Sequence, residues 1–269
     1  MHVESIWVYP IKSIGALALD EAEVDSRGFC LDRRWLVVDP KGWQPTQALR
    51  RTMFRIKPSI RGGELWLHAP DMPDLMIPLL NDNLEYQGKI ETGFQCQATV
   101  MPELYSNWFS RYLNGEYHLV RMMDDDFRAV REDAGQEGDS LNFSDLSAVH
   151  LLNRGSMEDL NCRLDEPVSE HAFRPNLVFT SQQAYEEDAW EKVRIGDVSL
   201  DTGIPCPRCP MTLAHPETGE LNKFKEPLKA LSEYRKLNNR HAFFGQYFAV
   251  RQPGWIKVGD EIQVDSIKR

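Results

Sequence analysis

No apolar run in the 269-residue chain approaches the roughly 18 residues that a membrane-spanning helix needs, so no such span is expected. Basic charge is also scarce: 31 Lys and Arg stand against 41 Asp and Glu, a formal net charge of −10 at pH 7. General binding to nucleic acid or to an anionic membrane draws on a basic surface that displaces counterions, so neither partner is expected. One small basic pocket remains compatible with that total. The N-terminal MHVESIWVYPIKS has neither the charged n-region nor the apolar h-region of a secretory signal, and the cytoplasm is the default location. Cysteine is sparse and odd in number. Cys30, Cys96, Cys162, Cys206 and Cys209 are spread along the chain, so reduced thiols are expected rather than a disulfide framework. Repeats and low-complexity tracts are lacking.

What is present is an ordinary globular composition, 42% hydrophobic and 27% charged, which excludes disorder as the whole account. The length suits two small domains or one large one. Short alternating runs bounded by Gly, Pro and Asp read as strands at Val3 to Tyr9, Ala18 to Val24, Arg34 to Val38, Arg55 to Ile60, Glu64 to His68, Leu75 to Ile77, Lys89 to Thr92 and Gln97 to Val100. Their even spacing predicts a barrel or sandwich in the first hundred residues. A helix is predicted over Glu103 to Leu113, with Leu104, Trp108 and Tyr112 on an apolar face flanked by Phe109 and Leu113. The acidic stretch from Arg121 to Asp139 reads as a mobile surface segment and a domain boundary, either a lid or a solvated loop; if that face docks a partner, a basic electron donor is expected.

The second half resumes with strands at Ala148 to Leu152, Asn176 to Thr180 and Val198 to Asp201. Ser156 to Asp159 reads as a capping box that opens a helix with Met157, Leu160 and Leu164 inward. Met211 to Ala214 reads as one arm of a hairpin that turns at His215 to Gly219. A helix after Glu226 would have Pro227 at its first position and Leu228, Leu231 and Tyr234 inward. Gly245 to Val250 and Trp255 to Val264 close the chain as strands. The fold class expected is mainly β with some helices, an α+β chain.

The sharpest local feature is Pro205-Cys206-Pro207-Arg208-Cys209-Pro210. A structural zinc site would need two further ligands, and although His215 and Cys162 exist, there is no second C-x-x-C. Dithiol redox chemistry favours a Cys at a helix N-terminus, whereas the residues after Pro210 read as a strand. Two options remain open: one thiolate serves as a single soft ligand to a metal held mainly by something else, or both thiols are inert in a stiff turn. Three other clusters carry charge and donors. Tyr9-Pro10-Ile11-Lys12-Ser13 offers an ammonium and a hydroxyl on a turn. Asp32-Arg33-Arg34-Trp35 and Phe173-Arg174-Pro175-Asn176 offer guanidiniums and a carboxamide. Each alone is more often structural than functional.

Taken in order, these clusters resemble the MOSC family, in the branch with an N-terminal MOSC β-barrel-like domain that includes the mitochondrial amidoxime-reducing component and its bacterial counterparts. The resemblance runs through YPIKS (Tyr9 to Ser13), DRRW (Asp32 to Trp35), FRPN (Phe173 to Asn176), CPRC (Cys206 to Cys209), HPETGE (His215 to Glu220), KEPLKAL (Lys225 to Leu231) and GWIKVGDEI (Gly254 to Ile262). It implies an N-terminal β-barrel-like domain over 1–118 and a MOSC β-barrel domain over 119–265. It also implies a molybdenum-molybdopterin cofactor with Cys209 as the thiolate ligand and Pro207 and Arg208 against it. Lys12, Ser13, Arg33, Arg174 and Asn176 match positions that hold the pterin and its phosphate. Asp145, Leu146 and Ser147 match a further binding segment. Leu146 stands where relatives have Thr, so contact there would come from the backbone. Asp145 is a candidate proton relay and Cys209 the other catalytic candidate. The family is associated with pyridoxal phosphate binding as well.

The implied activity is two-electron reduction of a small N-hydroxylated substrate, a hydroxylamine, amidoxime or N-hydroxylated base. No Cys follows Cys209, so no iron–sulfur cluster is expected in this chain, and a separate electron donor, a ferredoxin, flavodoxin or reductase, is implied. The competing readings are a cofactor carrier without turnover and a persulfide carrier that uses Cys206 or Cys209.

Overall fold

The structure, a computed structural model, describes residues 1–79, 84–237 and 241–268. Its main body is a nine-stranded sheet whose path runs Ile262–Ile267, Trp190–Ile195, Val198–Pro207, His241–Gln252, Val149–Asn153, Leu177–Thr180, His2–Val8 and Leu17–Leu19, with Lys236–Leu237 paired alongside. Both faces of Val149–Asn153 are buried, as a near-continuous apolar run requires. This strand runs parallel to Leu177–Thr180, and the crossover between them contains a helix over Arg154–Asn161. The first nineteen residues thus belong to a sheet built mostly from residues after 148.

The chain is mainly β with helices, as expected. Among the described residues no sheet closes into a complete barrel. The far edge nonetheless curls back onto the first strand, because Val3 N donates to Asp260 O (2.9 Å) and Gly259 N to Val3 O (2.8 Å). A four-stranded sheet (Trp35–Val38, Lys89–Glu91, Gln97–Val100, His118–Arg121) and a three-stranded sheet (Lys57–Arg61, Glu64–His68, Leu75–Ile77) form a second body. Its core includes Trp35, Trp108 and Phe109.

Among the described residues four α-helices follow in chain order: α1 Gln47–Met53, α2 Glu103–Leu113, α3 Arg154–Asn161 and α4 Leu228–Tyr234. No signal in the sequence had marked α1. In α2 the buried face is centred on Tyr105, Trp108 and Phe109, while Leu104 is 66% exposed, because i, i+3, i+4 spacing from Tyr105 fills the core and leaves Leu104 outside it. The start of α3 also differs from expectation. Asn153 is the cap, accepting from Gly155 N at 2.9 Å, so Ser156 lies inside the helix and its hydroxyl donates to the buried Glu187. Met157 and Leu160 are buried as expected.

Several boundaries move for identifiable reasons. Ala18 to Val24 is two strands, Leu17–Leu19 and Glu21–Asp25, which pair with different neighbours. Trp255 to Val264 likewise divides into Gly254–Lys257 and Ile262–Ile267. Met211 to Ala214 is not a strand: Pro210–Leu213 is a short 3-10 turn capped by Cys209, held by Thr212 N to Cys209 O at 3.1 Å. Only Ala214 bridges to Leu221, below the His215 to Gly219 turn. Pro227 occupies the cap position of α4, one residue before the helix begins.

The segment from Arg121 to Asp139 is tethered. Arg27 donates to the carbonyls of Met123 (3.0 Å), Asp124 (3.1 Å) and Asp126 (3.3 Å), and Arg251 pairs with Asp139 at 2.7 Å. Gly28, at φ +105°, has its α-carbon against the Ala148 carbonyl, where a Cβ would collide with backbone. Gly28→Ala is therefore expected to destabilise the protein by about 1–3 kcal/mol, read as a lowered urea midpoint with an unchanged slope.

Candidate functional site

Sheet pairing assembles the site from three segments at neighbouring strand ends. Tyr9 to Ser13 leaves the end of His2–Val8, Phe173 to Asn176 enters Leu177–Thr180, and Ser144 to Ala148 enters Val149–Asn153. Tyr9 N donates to Asp32 Oδ1 (2.9 Å), Arg33 N to Tyr9 O (2.9 Å) and Lys12 N to Trp35 O (2.9 Å), so the YPIKS and DRRW segments are zipped together. The aromatic ring of Tyr9 packs against two cations. Arg33 stands 4.3 Å and Arg174 4.0 Å from its centroid.

Arg33 has a carboxylate partner in Asp32, which outweighs burial and raises its pKa. Arg174 has no ion pair among the described residues. Burial lowers its pKa to about 10, and its buried Nη2 has no hydrogen-bond partner. A buried guanidinium left in this state is costly unless an anion meets it. Ser13 (φ +74°), Arg33 (φ +48°) and Arg174 (φ +54°) all sit in left-handed backbone, a conformation that only eight described non-glycine residues adopt. Such strain clusters where side chains are aimed at a ligand.

Lys12 is buried. Its Nζ donates to Phe143 O (2.8 Å) and to Asp145 Oδ1 (2.7 Å) and lies 5.0 Å from the Phe94 ring centroid. Burial lowers the Lys12 pKa against the pull of Asp145. Asp145 is crowded by protein, which would raise its pKa, but Lys12, Arg33 and Arg128 prevail and hold it below the usual carboxylate value. Its side chain is 71% exposed all the same, the combination expected of a group lining an open recess.

The C-x-x-C motif reaches this cluster through Arg208. The Arg208 guanidinium donates to Phe244 O (from Nε, 2.9 Å), Phe173 O (3.0 Å) and His150 Nε2 (2.6 Å). Cys206 is fully buried; burial raises its pKa, although nearby Arg208 and a hydrogen bond to Tyr247 oppose the rise. Cys209 is exposed. Cys206 and its hydrogen-bond partner Tyr247 both lie within electrostatic reach of Asp145.

The predicted residues therefore divide. Lys12, Asp145, Arg33 and Arg174 form the polar recess, and Ser13 follows Lys12 on the same turn. Three others are spent on the framework: Arg208 as described, Ser147 Oγ donating to Phe248 O (2.9 Å), and Asn176, whose carboxamide accepts from His150 N (3.1 Å) and donates to Trp7 O (3.2 Å). Pro207 ends its strand opposite Phe243, and Leu146 is half-buried beside Asp145. Sequence reasoning missed His150, Tyr247 and the role of Tyr9. None carries a local signal, although Tyr9 stood inside a motif already singled out.

Residues 1–116 match the MOSC N-terminal beta barrel domain and residues 138–263 match the MOSC domain. Human mitochondrial amidoxime-reducing component 1 is 32% identical over 276 residues, spanning 97% of this chain and 82% of that protein. The chain belongs to the MOSC-domain family. Further relatives of this MOSC protein include mitochondrial amidoxime-reducing component 1 of Xenopus laevis, 33% identical (97% of this chain, 81% of the relative), and mitochondrial amidoxime reducing component 2 of Rattus norvegicus, 29% identical (97% and 82%).

The residues present suit an anionic cofactor that brings its own metal ligands. The Arg174 guanidinium lacks an anion, Cys209 offers one accessible thiol, and among the described residues no three His, Cys, Asp or Glu side chains converge as a metal cage.

His150 supplies a test of the framework. Burial and the Arg208 charge hold its pKa well below 6.5, so it stays neutral, accepts from Arg208 at Nε2 and turns Nδ1 toward Arg174 O at 3.4 Å. The unfolded chain protonates this imidazole near pH 6.5 and the folded chain does not, so stability falls as pH drops below that value. The expected slope is up to about 1.4 kcal/mol per pH unit, and His150→Gln should flatten it in denaturant titrations from pH 7 to 5.

Proposed function

We propose that this MOSC-domain protein is an oxidoreductase that reduces N-hydroxylated compounds, amidoximes and hydroxylamines among them, with a molybdenum cofactor ligated by Cys209 Sγ. The observation that carries the reading is the Arg174 guanidinium, which lies with Arg33 on Tyr9 and has a buried Nη2 without a hydrogen-bond partner; the exposed Cys209 thiol supports it. Relatives that span 97% of the chain are named for amidoxime reduction, which supports the same substrate class.

The balance of the reaction is N–OH to N–H, consuming two electrons and two protons and releasing water. The bound cofactor supplies the redox centre that takes oxygen from nitrogen. The chain's own residues bind and orient it. Arg174, Arg33, Lys12 and Ser13 would hold the anionic phosphate end, and Pro207 and the Leu146 backbone would lie against the pterin. Arg208, Asn176 and Ser147 fix the segments that carry those contacts. At neutral pH Asp145 is ionised, so within the Lys12–Asp145 pair the ammonium is the proton donor and the carboxylate the acceptor that passes a proton from water toward the substrate. Electrons come from a separate donor, a ferredoxin, flavodoxin or reductase.

Protein made in a molybdenum-replete host should retain the metal. Cys209→Ala is expected to lose it, and Cys206→Ala should keep most of it, as metal analysis will show. Equal retention by both variants would refute the ligand assignment. With reduced methyl viologen as donor, the loaded protein should reduce an amidoxime; fully loaded protein with no turnover would make it a carrier. Asp145→Asn is expected to lower turnover by about 10²-fold or more with metal content unchanged, and unchanged turnover would remove Asp145 from the proton path.

A further inference from the structure

Charge is distributed unevenly in this acidic chain. Residues 40–63 hold Lys41, Arg50, Arg51, Arg55, Lys57 and Arg61 and not one Asp or Glu. Of these, only Arg61 has a salt bridge among the described residues, to Asp74 at 3.3 Å. In the acidic stretch near Asp124 to Asp139, by contrast, Asp124, Asp126, Asp133 and Asp139 are paired with Arg or Lys, while Asp125, Glu132 and Glu137 have no salt bridge among the described residues. The charge left uncompensated on residues 40–63 is positive.

That basic stretch flanks the recess. Phe54, just past α1, lies 5.4 Å from the Arg174 guanidinium, and Ile56 O accepts from Gly15 N at 2.9 Å, directly after the Lys12 to Ile14 loop. On its other side the α1 backbone at Arg51 packs against Gly219 in the turn that follows Cys209. From this turn Leu221 and Phe224 project, each 52% exposed, with Lys223 Nζ 4.8 Å from the Phe224 ring. Leu221 is bridged to Ala214, five residues beyond Cys209. A small apolar centre with a basic rim, on the loop bridged to Ala214 shortly after Cys209, has the anatomy of a transient protein interface. Glu217 and Glu220 lie in the same turn, but Arg51, Arg55, Lys57 and Lys223 outnumber them.

We propose that α1 and the 221–225 loop form the docking face for the electron donor, and that the donor is a redox protein with an acidic surface around its redox group. The proposal rests on the reading above that electrons arrive from a separate protein. An anionic bilayer is the other occupant with matching charge, but a net charge of −10 repels an extended negative sheet, whereas a compact acidic protein meets only the basic face within a screening length of about 8 Å. Complementary charge at the rim sets the association rate and its salt dependence.

The test compares the unmodified protein with the triple variant Arg55→Glu, Lys57→Glu, Lys223→Glu, all at exposed positions outside the recess. The probes are an acidic flavodoxin, basic cytochrome c as a charge control, and phosphatidylserine vesicles. Flavodoxin should bind the unmodified protein, more weakly as salt rises, and the triple variant should lose about tenfold or more in affinity. With reduced flavodoxin as donor, kcat/KM should fall in parallel, while turnover with reduced methyl viologen stays the same. Equal flavodoxin binding by both proteins, cytochrome c binding as well as flavodoxin, or binding to vesicles alone would each overturn the proposal. The binding measurements need no turnover. Failure of the methyl viologen reaction in both proteins would therefore count against the reductase reading and leave the docking question to be decided by affinity.

Discussion

A half-buried arginine whose head group is turned inward must find acceptors, and the way Arg208 finds them holds this site together. Its guanidinium spans the carbonyls of Phe244 and Phe173 and the ring of His150, so three stretches distant in sequence are bound to the C-x-x-C loop. The arrangement works only with a neutral His150 that offers Nε2 as an acceptor, which burial ensures. It also works only with glycine at position 245, where φ is +71° and a Cβ would stand 2.5 Å from His150 Nε2. Cys206 is buried on the inner side of that loop and Cys209 emerges on the outer side, so the two thiols of one motif have different environments.

The same economy of acceptors explains the charge in the recess. Arg33 is satisfied by Asp32 and by Arg174 O, whereas Arg174 keeps an unsatisfied Nη2 while stacked on the same ring. Lys12 is paired with an Asp145 that faces open solvent. Protein interiors seldom leave a buried cation unpaired, so the recess is prepared for an anion before one arrives. The left-handed backbone of Ser13, Arg33 and Arg174, all in loops beside strand ends, belongs to the same preparation.

The strands at Glu64–His68 and Leu75–Ile77, and the helix Glu103–Leu113, were legible from alternation and helical spacing, because each buries one face against a core. The short turn after Cys209 was not: Met211 to Ala214 has strand-like composition, and Pro210 together with the Thr212 bonds to Cys209 O overrides it. Helix α3 likewise has two residues able to cap, Asn153 and Ser156, and Ser156 is withdrawn from that role by Glu187 on a distant segment. The acidic 121–139 stretch read as free because its partners, Arg27, Arg34, Lys89 and Arg251, lie far away in the chain.

By itself the sequence determined the class of fold, the shortage of basic charge, the lone pair of neighbouring cysteines, and the motifs at Lys12, Arg33, Arg174 and Cys209 that mark the family. These are matters of composition and spacing, which local chemistry records. Only the tertiary structure decided which of those residues face the recess. Asn176 and Ser147 carry plausible binding groups, yet their hydrogen bonds are consumed by backbone across the sheet. Tyr9 and His150 became central because packing placed cations on one and a guanidinium on the other. The basic flank of the site was likewise only a charge run in the sequence until the contacts of α1 with the loops after Lys12 and Cys209 put it there. Position relative to a distant partner is a property of the folded chain, and no local pattern encodes it.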